Sequence, residues 1–196
     1  MHYSTNYVFD GVQGEYDESA VPAPLSIYGR SKWGGEQRIG EVAGAGYVLR
    51  TAVIFGPKGA SDLSKKSFVD LMRDLSAKRD TIQAVSDEIN SVTYAPDLAA
   101  ATQALLDRQP APGIYHVTNS GSASWYDLAA EIFRLTGKDD QSPAPSPRRI
   151  FPRKAQRPLE GDPTDNKIAG APFVARGAAR VPQRVALPRA FQALRR

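Results

Sequence analysis

Residues 27–56 read "IYGRSKWGGEQRIGEVAGAGYVLRTAVIFG", a helical pattern followed directly by a strand pattern. From Tyr28 to about Val42 it reads as a helix, closed by the glycines at 44 and 46. From Tyr47 to Gly56 it is a β-branched apolar run with few polar residues, suited to a strand buried on both faces. Upstream, "HYSTNYVFDG" (residues 2–11) carries a short run of Tyr, Val and Phe and stops at Asp10-Gly11, as a strand running into a turn does. Residues 12–25 contain Gly14, Pro22 and Pro24 and read as a loop. Downstream, "FVDLMRDLSAK" (68–78) and "APDLAAATQALLD" (95–107) read as helices, and "GIYHVTN" (113–119) as a short strand. "SASWYDLAAEIFRLTG" (122–137) reads as a helix with a serine capping position and a closing glycine. Strands alternating with helices argue an α/β unit with a parallel sheet, although only two or three strands can be read.

Within the helix, Tyr28 and Lys32 stand four residues apart, so one turn brings both side chains to the same face. An ammonium beside a phenol favours the phenolate, which is how a proton donor able to work near neutral pH is built. Ser4 and Thr5 lie toward the C-terminal part of the preceding strand, the edge at which α/β sheets bind ligands. A hydroxyl there can donate to a carbonyl oxygen beside that proton source.

Composition narrows the chemistry. The 196 residues suffice for one domain or one and a half with a sizeable core, and 41% apolar with 23% charged residues is ordinary for a soluble globular protein. Cysteine is absent, which excludes disulfides and thiolate metal sites and fits the cytoplasm. His2 and His116 are the only histidines, too few for a histidine metal centre. No apolar run is long enough for a membrane span, and no signal-peptide pattern opens the chain. The net charge of +4 is uneven: residues 1–141 hold 13 Lys/Arg against 18 Asp/Glu, and residues 142–196 hold 12 against 3. The basic tail has its arginines scattered among Pro, Ala and Gly without aromatic interleaving, which argues a solvated tail over a nucleic-acid surface. Prolines 143, 145, 147 and 152 break regular structure there, and only "LPRAFQALRR" (187–196) reads as helical again.

Four runs, "STNYVFDG" (4–11), "YGRSKWGGE" (28–36), "LRTAVIFG" (49–56) and "GIYHVTNSGSASWYDLA" (113–129), follow one another in an order and spacing that resembles the extended short-chain dehydrogenases/reductases, and within them the dTDP-4-dehydrorhamnose reductase family. The resemblance covers roughly residues 2–137. It implies part of a Rossmann-like, doubly wound parallel sheet joined to a C-terminal substrate-binding region. It implies hydride transfer from NADPH, with NADH as the alternative, to the C4 ketone of a dTDP-linked 6-deoxyhexose, a nucleotide-sugar, in dTDP-rhamnose biosynthesis. Tyr28 would protonate the developing alkoxide, Lys32 would bind the nicotinamide ribose and tune the tyrosine, Thr5 would hydrogen-bond the same oxygen, and Tyr7 would line the sugar pocket. The implied boundaries are 1–56 for the C-terminal part of the catalytic domain, 57–141 for a mixed substrate-binding region with returning sheet elements, and 142–196 for the tail. The family also contributes a homodimer and, in some members, magnesium held by carboxylates at a dimer contact, for which no position here matches.

The sequence departs from the family in four places. Asn6 stands where the family has Asp, and Val53 where it often has Trp. "RPLEG" (157–161) alone represents its C-terminal R-P segment. No G-x-x-G-x-x-G turn links a strand to a helix: "GEVAGAG" (40–46) follows a helix and precedes a strand, the reverse of the pyrophosphate-binding order. The expectation is therefore the catalytic and substrate-binding remainder of a reductase, without its nucleotide-binding half. Two alternatives stay open, a non-catalytic sugar-nucleotide-binding or regulatory relative, and a sugar-nucleotide epimerase or dehydratase.

Overall fold

The computed structural model describes residues 1–12, 15–43, 46–57, 66–79, 81–138, 143–151 and 165–168. Its centre is a parallel sheet of three strands in the order β1 (His2–Thr5), β3 (Tyr47–Thr51) and β8 (Gly113–His116). Helix α1 (Ile27–Ala43) connects β1 to β3 and packs on both strands. Helix α3 (Ala95–Arg108) contributes Leu98, Ala101 and Leu105 to a second cluster with Leu49 of β3 and Val117 just beyond β8. This is the expected α/β arrangement of a sheet built from crossover connections.

A second body of packing lies around α2 (Phe68–Ser76) and α4 (Trp125–Leu135), whose Val69, Met72, Leu128, Ile132 and Phe133 form the largest apolar cluster. Both helices begin with a reciprocal capping box, Ser67 with Asp70 and Ser124 with Asp127. Four of the short strands form a sheet in the order β2 (Glu15–Tyr16), β11 (Asp165–Ile168), β6 (Ile89–Ser91) and β9 (Ser122–Ser124). Two further pairs are parallel, β4 (Ile54–Phe55) with β7 (Thr93–Tyr94), and β5 (Gln83–Val85) with β10 (Ala144–Ser146).

Three expectations need correction. The first strand ends at Thr5 rather than running on to Asp10, because the Thr5 hydroxyl accepts the Tyr7 N–H at 3.2 Å and starts a 3₁₀ turn over Asn6–Val8. The run Tyr47–Gly56 is two strands, not one: Val53 takes φ 37° between β3 and β4, a left-handed backbone that breaks the ladder. Eleven short strands are present among the described residues where only two or three were legible. One of them, β10, contains Pro145 and sits in a two-stranded pair, the edge setting in which proline is tolerated. "RPLEG" and "LPRAFQALRR" lie outside the described residues.

Candidate active site

The end of β1 and the start of α1 bring the expected residues close. Ser26 begins the helix, its hydroxyl accepting the Gly29 N–H at 3.0 Å. The helix then presents Tyr28, which is 51% exposed, with its ring edge-on to Tyr7 at a centroid separation of 6.0 Å. One turn on, Lys32 donates from Nζ to the carbonyl oxygen of Tyr3 at 3.1 Å. Thr5 is buried at the strand end. Its oxygen accepts the Tyr7 N–H, and its single proton faces Asn6 Oδ1 at a long 3.4 Å. Asn6 in turn donates from Nδ2 to Asn90 Oδ1 of β6 at 3.2 Å, so Asn6 ties the strand end to the second sheet. Tyr7 and Tyr28 are thus in ring contact, and Lys32 binds the backbone of the strand that leads to Thr5.

Beneath these residues runs a buried polar row that sequence reading did not assign. Ser4 and Arg50 are register partners on β1 and β3, and Arg50 and His116 are register partners on β3 and β8. Glu36 of α1 closes over the row. Arg50 donates to it from Nε (3.0 Å to Oε1) and from Nη2 (2.7 Å to Oε2), and the Ser4 hydroxyl donates to Oε1. Arg50 is 1% exposed and also lies over the Phe9 ring at 5.0 Å. Its Nη1 faces His116 Nε2 at 3.5 Å, and since a guanidinium only donates, that nitrogen accepts. The His116 ring is fully buried, and burial pushes its pKa down from 6.5 to about 4. The Arg50 charge adds to that depression, while Glu18, Glu36 and Asp17 oppose it. The signal available in the sequence was Arg50 itself, a charged residue in an otherwise apolar buried strand, together with Glu36 one turn beyond Lys32.

A cavity of about 650 Å³ lies between α2, β5 and α4 and is lined by Phe68, Met72, Leu75, Val85, Trp125 and Phe151 among others. Among the described residues no His/Cys/Asp/Glu group is arranged to hold a metal ion, and no helix is long and apolar enough to cross a membrane.

Residues 1–190 match the family described as RmlD substrate binding domain. A dTDP-4-keto-6-deoxy-D-glucose reductase of Streptomyces niveus is 40% identical over 164 residues, covering 83% of this chain and 52% of that protein. A dTDP-4-dehydrorhamnose reductase of Mycolicibacterium smegmatis is 37% identical over 160 residues, covering 81% and 47%. Among solved structures, the dTDP-4-dehydrorhamnose reductase of Bacillus anthracis in complex with NADP superposes with a TM-score of 0.80 at 31% identity. That alignment covers 98% of this chain and 62% of the other. The chain spans about half the length of the curated relatives it matches.

Proposed function

Because the chain belongs to the RmlD substrate-binding-domain family, we propose that it supplies the proton donor and the sugar-facing surface for NADPH-dependent reduction of the C4 ketone of a dTDP-linked 6-deoxyhexose. The observation that carries this reading is the half-exposed Tyr28 phenol standing against Tyr7, next to the Thr5 turn and one helical turn from Lys32. Tyr28 gives its proton to the oxygen at C4 as negative charge develops there. Thr5 donates to the same oxygen. The Tyr7 N–H occupies one lone pair of that hydroxyl, and its proton is engaged by the long 3.4 Å contact to Asn6, so that proton remains available. Tyr7 packs the sugar against the Tyr28 ring.

The nicotinamide ribose fits the described residues, since the Lys32 ammonium has three donor hydrogens and the bond to Tyr3 uses one. NADPH supplies the hydride; NADH is the alternative. In this reading residues 1–56 carry the catalytic part, 57–141 the substrate-binding region from which β8 returns to the central sheet, and 142–196 the basic tail. A cytoplasmic location, a nucleotide-sugar ligand and a homodimer belong to the same proposal.

The test joins this chain to the segment of the Bacillus anthracis reductase that it does not span. NADPH oxidation is then followed with dTDP-4-dehydrorhamnose and with dTDP-4-keto-6-deoxyglucose, the sugars named by the two relatives. Turnover of either supports the reading, and the ratio of kcat/KM assigns the sugar. Binding of both without NADPH oxidation would instead favour the non-catalytic alternative.

A further inference from the structure

We propose that Glu36 is a positioning residue for the proton donor: through Ser4 and Arg50 it sets the register of α1 on the central sheet, and so where the Tyr28 phenol stands relative to Thr5. The role assigned to Tyr28 rests on the reductase reading, whereas the geometry does not.

Tyr28, Lys32 and Glu36 follow at four-residue steps along one face of α1. Two of the three grip β1, Lys32 through the Tyr3 carbonyl and Glu36 through the Ser4 hydroxyl. Thr5 is the next residue along that strand. Glu36 also takes the Arg50 fork in a bidentate pair, so one carboxylate ties the helix to both neighbouring strands at a single level of the sheet.

A buried ion pair is a weak way to gain stability, because an apolar pair of similar volume holds two elements together about as well. What the carboxylate adds is direction. The planar fork of Arg50 orients both Glu36 oxygens, and Arg50 is itself held by β3, Phe9 and His116. A slip of α1 by one residue displaces it by about 1.5 Å along its axis and breaks all three bonds to Glu36. A misplacement of about 1 Å is already enough to cost a reaction of this kind on the order of 100-fold.

Ser4→Ala removes one bond to Glu36 and leaves the Arg50 pair whole. In the 196-residue chain carrying isotope-labelled tyrosine, the Tyr28 ring resonance should shift. Those of Tyr47 and Tyr115, packed on the α3 side of the sheet, should stay. Ser4→Thr keeps the hydroxyl and should restore the parent spectrum. In the NADPH-competent fusion, kcat per folded site should fall about 10-fold in Ser4→Ala with KM for the sugar unchanged, and recover in Ser4→Thr. An unchanged Tyr28 resonance in Ser4→Ala would overturn the proposal, and so would a loss that Ser4→Thr does not recover. A parent fusion that reduces neither keto-sugar defeats the reductase reading instead, and the tyrosine resonance then decides the positioning role alone.

Discussion

Gly29 of α1 lies against the backbone of Tyr7: a Cβ at Gly29 would stand 2.2 Å from the Tyr7 carbonyl oxygen. No rotamer change relieves a clash with main chain, so only glycine lets the helix come this close to the turn after β1. The approach is also what brings the Tyr7 and Tyr28 rings together. Gly29→Ala should therefore destabilise the fold by about 2–3 kcal/mol, as an overpacked contact does. Gly34, in the same helix, has nothing within 4 Å of its Cβ position. Gly34→Ala should stabilise by roughly 0.5–1 kcal/mol through helix propensity alone. Denaturant unfolding of the two variants gives opposite signs if the close approach is real.

With NADPH turnover established in the fusion, Tyr28→Phe should lower kcat by about 10²–10⁴-fold and leave cofactor binding nearly intact, since only the phenol oxygen is lost. Thr5→Val should cost less in kcat, because it removes one of two donors to the oxygen, but it also removes the cap of the 3₁₀ turn. Lys32→Met should weaken NADPH binding as well as turnover. Steady-state kinetics on the three variants separates these effects, and a Tyr28→Phe enzyme with near-parental kcat would show that Tyr28 is not the donor.

The pair of Arg50 and Glu36 is almost wholly buried, so removing one partner strands a charge. Arg50→Met should cost about 3–5 kcal/mol, and the double variant Arg50→Met/Glu36→Leu should recover much of it. Thermal unfolding of single and double variants tests this; equal losses in both would mean that packing, not charge, is at stake.

His116 couples stability to acid. Its folded pKa, about 4, lies below the unfolded value of 6.5, so the unfolded chain binds the proton first. Above pH 6.5 both states are neutral at this site and nothing changes. From there down to about pH 4 stability falls progressively, and below pH 4 the loss is complete. The total is on the order of 3 kcal/mol. Unfolding free energies across this window should slope for the parent and slope less for His116→Asn.

The 196-residue chain alone should bind NADPH only weakly, with Kd above roughly 100 μM. The sequence contains no G-x-x-G-x-x-G run, the pattern whose backbone N–H groups cradle a dinucleotide's diphosphate. Calorimetric titration checks this, and micromolar binding would require a phosphate site elsewhere in the chain.

Local signals in the sequence were enough to determine α1, α2, α3 and α4, because capping residues, closing glycines and helical periodicity act within one or two turns. They also determined that Tyr28 and Lys32 share a face, since a four-residue step in a helix leaves no other choice. The four motif runs carried the family. The rest is non-local. Val53 reads as one more strand residue, and its left-handed backbone emerges only where β3 hands over to β4 and the Val53 carbonyl accepts the Thr93 N–H. Strands of two to four residues, such as β5, β6 and β7, are too short for a period to show, and each exists because a distant partner pairs with it. The row of Ser4, Arg50 and His116 under Glu36 joins four elements from across the chain, and only the register of the parallel sheet sets those residues side by side. A charge in an apolar strand can be seen in the sequence; the carboxylate that makes its burial tolerable cannot, because that match is made by packing α1 onto the sheet.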